Sequence, residues 1–347
     1  MNLLTFSLLG VFNVPITIRD VAKAAGVSIT TVSRALNGYP DVSVETRRKI
    51  VRIAETLNYR PSSVARSLVM NRTRTIGLLV SDLSKGRTGH YFMFQVLYGL
   101  HDRLAELGYD LILFSTTSKR QQQISYLDFC TERRLDGVCV MGIRLDDPYI
   151  HEVVDSSLPS VVIDLPLLSD TCGYVMTDNV YGARLAVRHL LSRDHKNIAF
   201  INGHSQAAVS RDRKRGYEEA LREADLPVDE SLQRHADYTA DGGAKAFEDV
   251  YKQNRSITAA FFASDLMALG ALAWCKTQGI AVPDDVAFVG FDDIELAQFS
   301  SPPLTTILQR RYEMGVTAAN MVVAMTEGTD TAQGRMLAPE LLIRQST

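Results

Sequence analysis

Two sets of side chains in this sequence have the type and spacing to recognise a partner. The first lies near the start of the chain, where Ile29, Thr30, Ser33 and Arg34 fall on the outward side of a short helical pattern and Asn37 follows at its exit. Threonine can exchange hydrogen bonds with base edges, arginine can pair bidentately with guanine, and isoleucine can press on a thymine methyl. The second set ends a series of apolar runs: Ser81 and Asp82, Asp164, Ser264 and Asp265, and Asp292 and Asp293, with Arg213 opening a helical stretch after residues 198–203. Carboxylates and an arginine can fix sugar hydroxyls through paired hydrogen bonds, and Tyr91, Phe92 and Tyr238 are aromatic candidates for covering the apolar side of a ring. Taken singly, an acidic residue after a strand also serves as a plain helix cap.

The elements that must position the first set are short helices. Ile18, Val21, Ala22 and Ala25 recur at helical spacing and Gly26 ends that stretch. Ser28 is a good N-cap for a second helix that buries Val32, Ala35 and Leu36. Two short helices joined by a glycine-containing turn make a helix-turn-helix, whose second helix enters the major groove. A third helix follows, capped by Ser43, with Ile50, Ile53, Ala54 and Leu57 inward and Arg47, Arg48, Lys49 and Arg52 around the rest; Tyr59-Arg60-Pro61 stops it. Beyond Pro61, Val64 and Leu68 stand one helical turn apart among Arg66, Arg72 and Arg74. A helix that short is marginal in water alone, so residues 61–74 are expected to be a linker that orders on DNA.

From Thr75 the pattern changes to apolar runs at 76–81, 111–116, 137–142, 160–165, 198–203, 259–264 and 286–291, with helical stretches between them at 92–107, 179–191, 211–224, 240–252 and 265–278. Repeated β-α-β units imply parallel sheets with helices on both faces. The length fits two such sheets, with a change of lobe near residues 174–178 and a return near 304–307. Ligands of open α/β sheets sit beyond the carboxyl ends of the strands, so the second set of side chains would line a cleft between the lobes.

Charge separates the same two regions. Residues 1–74 hold 11 Lys/Arg against 4 Asp/Glu, a balance of +7, and the remainder holds 26 against 36, a balance of −10. A basic end on an acidic body points to a polyanion partner, with nucleic acid first. No run approaches the roughly 20 apolar residues of a membrane-spanning helix. Residues 1–15 lack the basic start and small-residue cleavage site of a signal peptide, and are expected to be a disordered extension or an early-called start. The four cysteines show neither a C-x-x-C pair nor zinc spacing and are expected to be reduced and buried. Neither G-x-G-x-x-G, a Walker loop, G-x-S-x-G nor H-E-x-x-H occurs, and the seven histidines are scattered. No enzyme, cofactor or metal is therefore expected.

The run from TIRDVAKAAGVSITTVSRALNG through TRRKIVRIAETLNYRPSSVARSL resembles the headpiece and hinge of the LacI/GalR (lactose repressor) family, with helix pair, third helix, Y-R-P-S and A-R-S-L in order at family spacing. The body resembles the same family through VMTDNVYGARLAVRHLL, RDRKRGYEEAL, ASDLMALGAL and VPDDVAFVGFDDIELAQFSSPPLTTI. The resemblance covers about residues 16–345 and implies an all-α helix-turn-helix headpiece on a two-lobed, periplasmic-binding-protein-like α/β core with two doubly wound parallel sheets. It implies DNA contacts from Thr17, Ser28, Ile29, Thr30, Thr31, Ser33, Arg34, Asn37 and Arg66, with Leu68 wedged into the minor groove to unstack a base step. It implies effector contacts from Phe92, Asp164, Arg213, Tyr238, Ser264 and Asp292, Ser264 standing where several relatives have a longer amide.

The domains expected on this basis are 1–15 extension, 16–60 headpiece, 61–74 hinge and 75–347 core, with 75–175 plus 308–330 in one lobe and 176–304 plus 331–347 in the other. No leucine heptad follows the core, so a homodimer on a pseudo-palindromic operator is expected. The effector expected is a sugar or sugar derivative, with a purine or nucleoside co-repressor as the alternative. A periplasmic sugar receptor would share the core but has no use for residues 16–70. A cytoplasmic repressor accounts for both halves.

Overall fold

The computed structural model describes residues 16–36, 38–59, 72–81, 91–116 and 125–347. Residues 1–15, Asn37, residues 60–71 with most of the expected hinge, including Arg66 and Leu68, and Asp82 lie outside the described residues. The chain divides into two compact units, Met1–Thr73 and Arg74–Thr347.

In the first unit three helices, α1 (Ile18–Ala25), α2 (Ile29–Leu36) and α3 (Val44–Thr56), enclose a small core of Val21, Ala22, Ala25, Val32, Ala35, Val42, Ile50 and Ala54. The Asp20 carboxylate accepts from both the Thr17 N–H and the Thr17 hydroxyl, which fixes the start of α1. Gly26, at φ 70°, ends it in the left-handed conformation that glycine adopts without strain, so that only Gly26, Val27 and Ser28 separate the two helices. Ser43 accepts from the Thr46 N–H and starts α3.

The second unit contains two six-stranded sheets. The first has the order β11-β5-β4-β3-β1-β2, built from β1 (Thr75–Ser81), β2 (Asp110–Thr116), β3 (Gly137–Met141), β4 (Ser160–Ile163), β5 (Cys172–Thr177) and β11 (Gly334–Leu337), and all its pairings are parallel. The second has the order β12-β10-β9-β8-β6-β7, built from β6 (Ile198–Asn202), β7 (Gln233–His235), β8 (Ala259–Phe262), β9 (Ala287–Asp292), β10 (Thr305–Leu308) and β12 (Glu340–Leu342). Its pairings are parallel except for β12, which runs antiparallel to β10 along the edge. β3, β4, β6 and β8 are buried along their whole length, as continuous apolar strands of a parallel sheet covered on both faces must be.

The structure differs from expectation in the last stretch of chain. Gly334–Leu337 pairs with β5, so these residues belong to the first sheet and the third passage between lobes falls after Leu337, not at 330–331. β11 is short and its first three residues are exposed, so it carries no burial pattern that a sequence could display. The first passage comes after Thr177, at the end of β5, within the expected 174–178 and two residues beyond the boundary drawn at 175. The helix Arg311–Glu327 was not marked by periodicity because apolar and small residues occur nearly all round its axis. It packs backbone to backbone against the helix Tyr91–Glu106: a Cβ on Gly99 would lie 2.0 Å from the Tyr312 carbonyl oxygen, and one on Gly315 2.1 Å from that of Val96. Alanine at an ordinary helical glycine is favourable by up to about 1 kcal/mol. Here Gly99→Ala or Gly315→Ala should instead destabilise the core by about 1–3 kcal/mol, read as a lowered thermal unfolding midpoint.

Candidate nucleic-acid interface and ligand cleft

On the headpiece, α2 presents Ser28, Ile29, Thr30 and Arg34 to solvent and leaves Thr31 and Ser33 half-buried. The hydroxyls divide by task. Ser28 Oγ accepts from the Thr31 N–H at 3.0 Å and shares a 2.8 Å hydrogen bond with Thr31 Oγ1, so both serve the N-terminus of α2, as Thr17 serves that of α1. Ile29 is 44% exposed, and with Thr30 and Arg34 it forms an outward face free of capping duty. The Arg34 guanidinium lies beside Asp41, with Nε 2.8 Å from Oδ2, and over the Tyr39 ring at 5.0 Å from its centroid.

In the core, Arg213 organises the strand ends. It stands on the helix Ala208–Glu223 and is buried. Its Nε donates to Asn179 Oδ1 at 2.8 Å, its Nη1 donates to the Ala263 carbonyl and lies 3.9 Å from Asp292 Oδ1, and its face rests on the Phe291 ring at 3.8 Å. Asn179 in turn donates to the Thr177 carbonyl at the end of β5, and Gln309 donates to Asp292 Oδ1 at 2.6 Å. Arg311, the first residue of the last helix, donates to the Asp293 carbonyl at 2.7 Å.

Asp164 follows β4 in the other lobe, and its carboxyl lies in the combined field of Arg213 and Asp292. Asp164 Oδ1 is sealed from solvent and has no hydrogen-bond partner among the described residues. Burial pushes this carboxyl up to about 7, with Asp292 adding repulsion and Arg213 opposing both. Asp292 is raised mainly by burial, against the pull of Arg213 and Arg311. Asp265, wholly buried, is raised by burial and by Asp292 while it accepts from Thr306 Oγ1 and, at 2.9 Å, from the Ile294 N–H. Tyr238 closes one side: its ring lies against Gly203, its hydroxyl shares a 2.6 Å hydrogen bond with Ser210 Oγ, and the His204 ring meets it edge-on at 5.6 Å. Asp164, Tyr238, Asp292 and Asp293 all hold left-handed backbone conformations, at φ 62°, 63°, 117° and 52°. Such strain persists only where the surroundings over-determine it, as at binding sites.

The structure thus gathers Asp164, Arg213, Tyr238 and Asp292. Ser264 lies nearby but is buried and accepts from the Met267 N–H at 3.4 Å as the N-cap of the helix Asp265–Gln278. Phe92 packs, half-buried, against the core of the first lobe, and Tyr91 begins the helix Tyr91–Glu106. Asn179, Gln309 and Arg311 were not singled out; the signal that could have found them is their position just after a strand, which they share with Asp164, Asp265 and Asp292. All four cysteines are free and buried, and burial pushes the Cys139 and Cys275 thiols up to about 12. Among the described residues no cluster has the makings of a metal site, and no helix is long and apolar enough to cross a membrane.

The family of bacterial regulatory proteins of the lacI type matches residues 17–62, and a periplasmic binding protein-like domain matches residues 187–347. The chain belongs to the lacI family of transcriptional regulators. It is 34% identical over 333 residues to the HTH-type transcriptional repressor PurR of Vibrio campbellii, an alignment that covers 95% of this chain and 98% of the relative. Among solved structures it is similar to the transcriptional regulator CelR in complex with cellobiose (31% identity, TM-score 0.74, 96% of this chain and 100% of that one). It is also similar to the lac repressor dimer bound to operator and the anti-inducer ONPF (26% identity, TM-score 0.81, 96% and 99%). The helix-turn-helix headpiece and two-lobed parallel α/β core are those of this family.

A carboxyl whose folded-state pKa is raised contributes stability that is fully present below its ordinary pKa and is lost as pH rises through the folded value. For Asp164 that window runs from its ordinary 3.8 to about 7. The melting temperature of Asp164→Asn relative to wild type should therefore climb between about pH 4 and pH 7 and level off above, in thermal scans of the ligand-free protein.

Proposed function

We propose that the chain is a cytoplasmic repressor, without catalytic activity, that binds a pseudo-palindromic operator as a homodimer and is controlled by a small molecule held between the lobes of its core. The observation that carries this reading is the joining, in one chain, of a helix-turn-helix with Ile29, Thr30 and Arg34 outward to a cleft where Asp164 of one lobe meets Arg213 and Asp292 of the other. Thr30 and Arg34 read bases, the hinge around Leu68 wedges the minor groove, and the capping hydroxyls of Thr17, Ser28 and Thr31 support the reading helix.

The effector is a sugar or sugar derivative. Half-buried carboxylates beside a guanidinium, with an aromatic wall at Tyr238, match alternating hydroxyls and a ring face, and the similar regulator CelR is known in complex with cellobiose. Control follows from different affinity of the effector for two arrangements of the lobes, which bias the pairing of the hinges; a coupling of about 1–3 kcal/mol is ordinary for such devices.

Two measurements test the halves separately. Arg34→Ala should lower affinity for the operator by about 5- to 150-fold, with little change on random DNA; an equal loss on both would make Arg34 a phosphate contact. A chain lacking residues 1–74 should remain folded and be stabilised in thermal-shift screens by one or more sugars. Stabilisation by nucleobases or nucleosides alone would transfer the reading to a purine effector, and an unfolded product would refute the modular design.

A further inference from the structure

Arg34 is held before any DNA arrives. Both of its partners come from the turn after α2, and that turn is itself anchored. Gly38 reverses the chain at φ 79°, the Tyr39 N–H donates to the Arg34 carbonyl at 3.0 Å, and Arg47 Nη2 donates to the Tyr39 carbonyl at 2.5 Å. Val42 donates back to the same carbonyl and is buried in the three-helix core. Tyr39 and Asp41 are thus presented to the guanidinium from a fixed platform. The side chains of Arg34 and Asp41 are 45% and 51% exposed, and an ion pair so exposed contributes little to stability. Holding the fold together is therefore a poor account of it.

The geometry offers another account. A guanidinium is a planar fork with donors along two edges. The Asp41 carboxylate lies against the Nε edge and the Tyr39 ring lies 5.0 Å from the guanidinium carbon, so the head of Arg34 is restrained from two sides. Bidentate pairing with guanine O6 and N7 needs two donors in one plane at a set orientation. An acidic side chain on the same surface also repels phosphate, which disfavours sequence-independent binding.

We propose that Asp41 is a positioning residue for base recognition: it orients Arg34 toward a guanine edge and lowers affinity for DNA that lacks that base. This rests on Arg34 being a base reader, as proposed above. Asp41 acts through Arg34 and touches no base itself.

The test uses the full-length chain and fluorescence anisotropy at one fixed salt concentration. The probes are the duplex that the wild-type protein selects from a randomised pool, its single-base-pair variants, and an unrelated duplex of equal length. Asp41→Asn should reduce discrimination at the base pair relaxed by Arg34→Ala by at least about fivefold, leave discrimination at other base pairs unchanged, and tighten binding to the unrelated duplex. Asp41→Glu should restore part of the discrimination, and Asp41→Asn should change it no further when added to Arg34→Ala. If Arg34→Ala relaxes one base pair and Asp41→Asn leaves it within about twofold of wild type, the positioning role is overturned while Arg34 remains a reader. A loss spread evenly over all base pairs, with a lowered melting temperature, assigns Asp41 to the fold and also overturns it. If Arg34→Ala weakens selected and unrelated duplexes equally, the base-reading premise falls and the proposal with it.

Discussion

A guanidinium cannot be left inside a protein without acceptors, and the core is arranged around meeting that demand at Arg213. Its partners arrive from separate parts of the chain: Asn179 from the start of one helix, the Ala263 carbonyl from the end of β8, and Asp292 and Phe291 from the end of β9. Each lies at the carboxyl end of a strand or just beyond it, where a parallel sheet leaves backbone and side chains unpaired by the ladder. Satisfying one cation therefore sets the positions of the strand ends that form the floor of the cleft. The same desolvation that makes Arg213 demanding raises Asp164 and Asp292 beside it and Asp265 next to Asp292, so that these carboxyls ionise reluctantly.

The two recognition surfaces work under opposite physical regimes. The outward face of α2 is exposed, and its contacts are individually weak until a duplex excludes water from them. The cleft is partly screened from solvent, and its strained Asp164, Tyr238, Asp292 and Asp293 are held by hydrogen bonds and packing that exist without a ligand. Asp265 supports that arrangement from below by accepting from the Ile294 N–H, immediately after the strained pair.

Much of this was legible in the sequence, for reasons that differ by element. The headpiece follows from one-sided helices with plain caps: Val21, Ala22 and Ala25 share a stripe, and Ser28 and Ser43 stand where caps are needed. The parallel sheets follow from apolar runs too short for helices, such as 137–142 and 160–165. The helix Arg311–Glu327 escaped because backbone packing at Gly315 replaces the usual stripe of large side chains. β7 and β11 escaped because edge strands three or four residues long carry no alternation. Asp164 and Asp292 were expected in the cleft from their place at strand ends and Arg213 from the helix after residues 198–203, and the structure gathers these three, while Ser264, expected from the same cue as Asp164 and Asp292, caps a helix. Position after a strand marks the floor of a cleft without saying which residues face a guest.

The chain passes between its lobes three times, after β5, after β10 and after β11. A single connection would act as a swivel, and two would leave an axis free for twisting. Three tethers leave one lobe fewer ways to move against the other than a single one would, so the amplitude of a response can vary while its direction is narrowed by the connectivity of the chain.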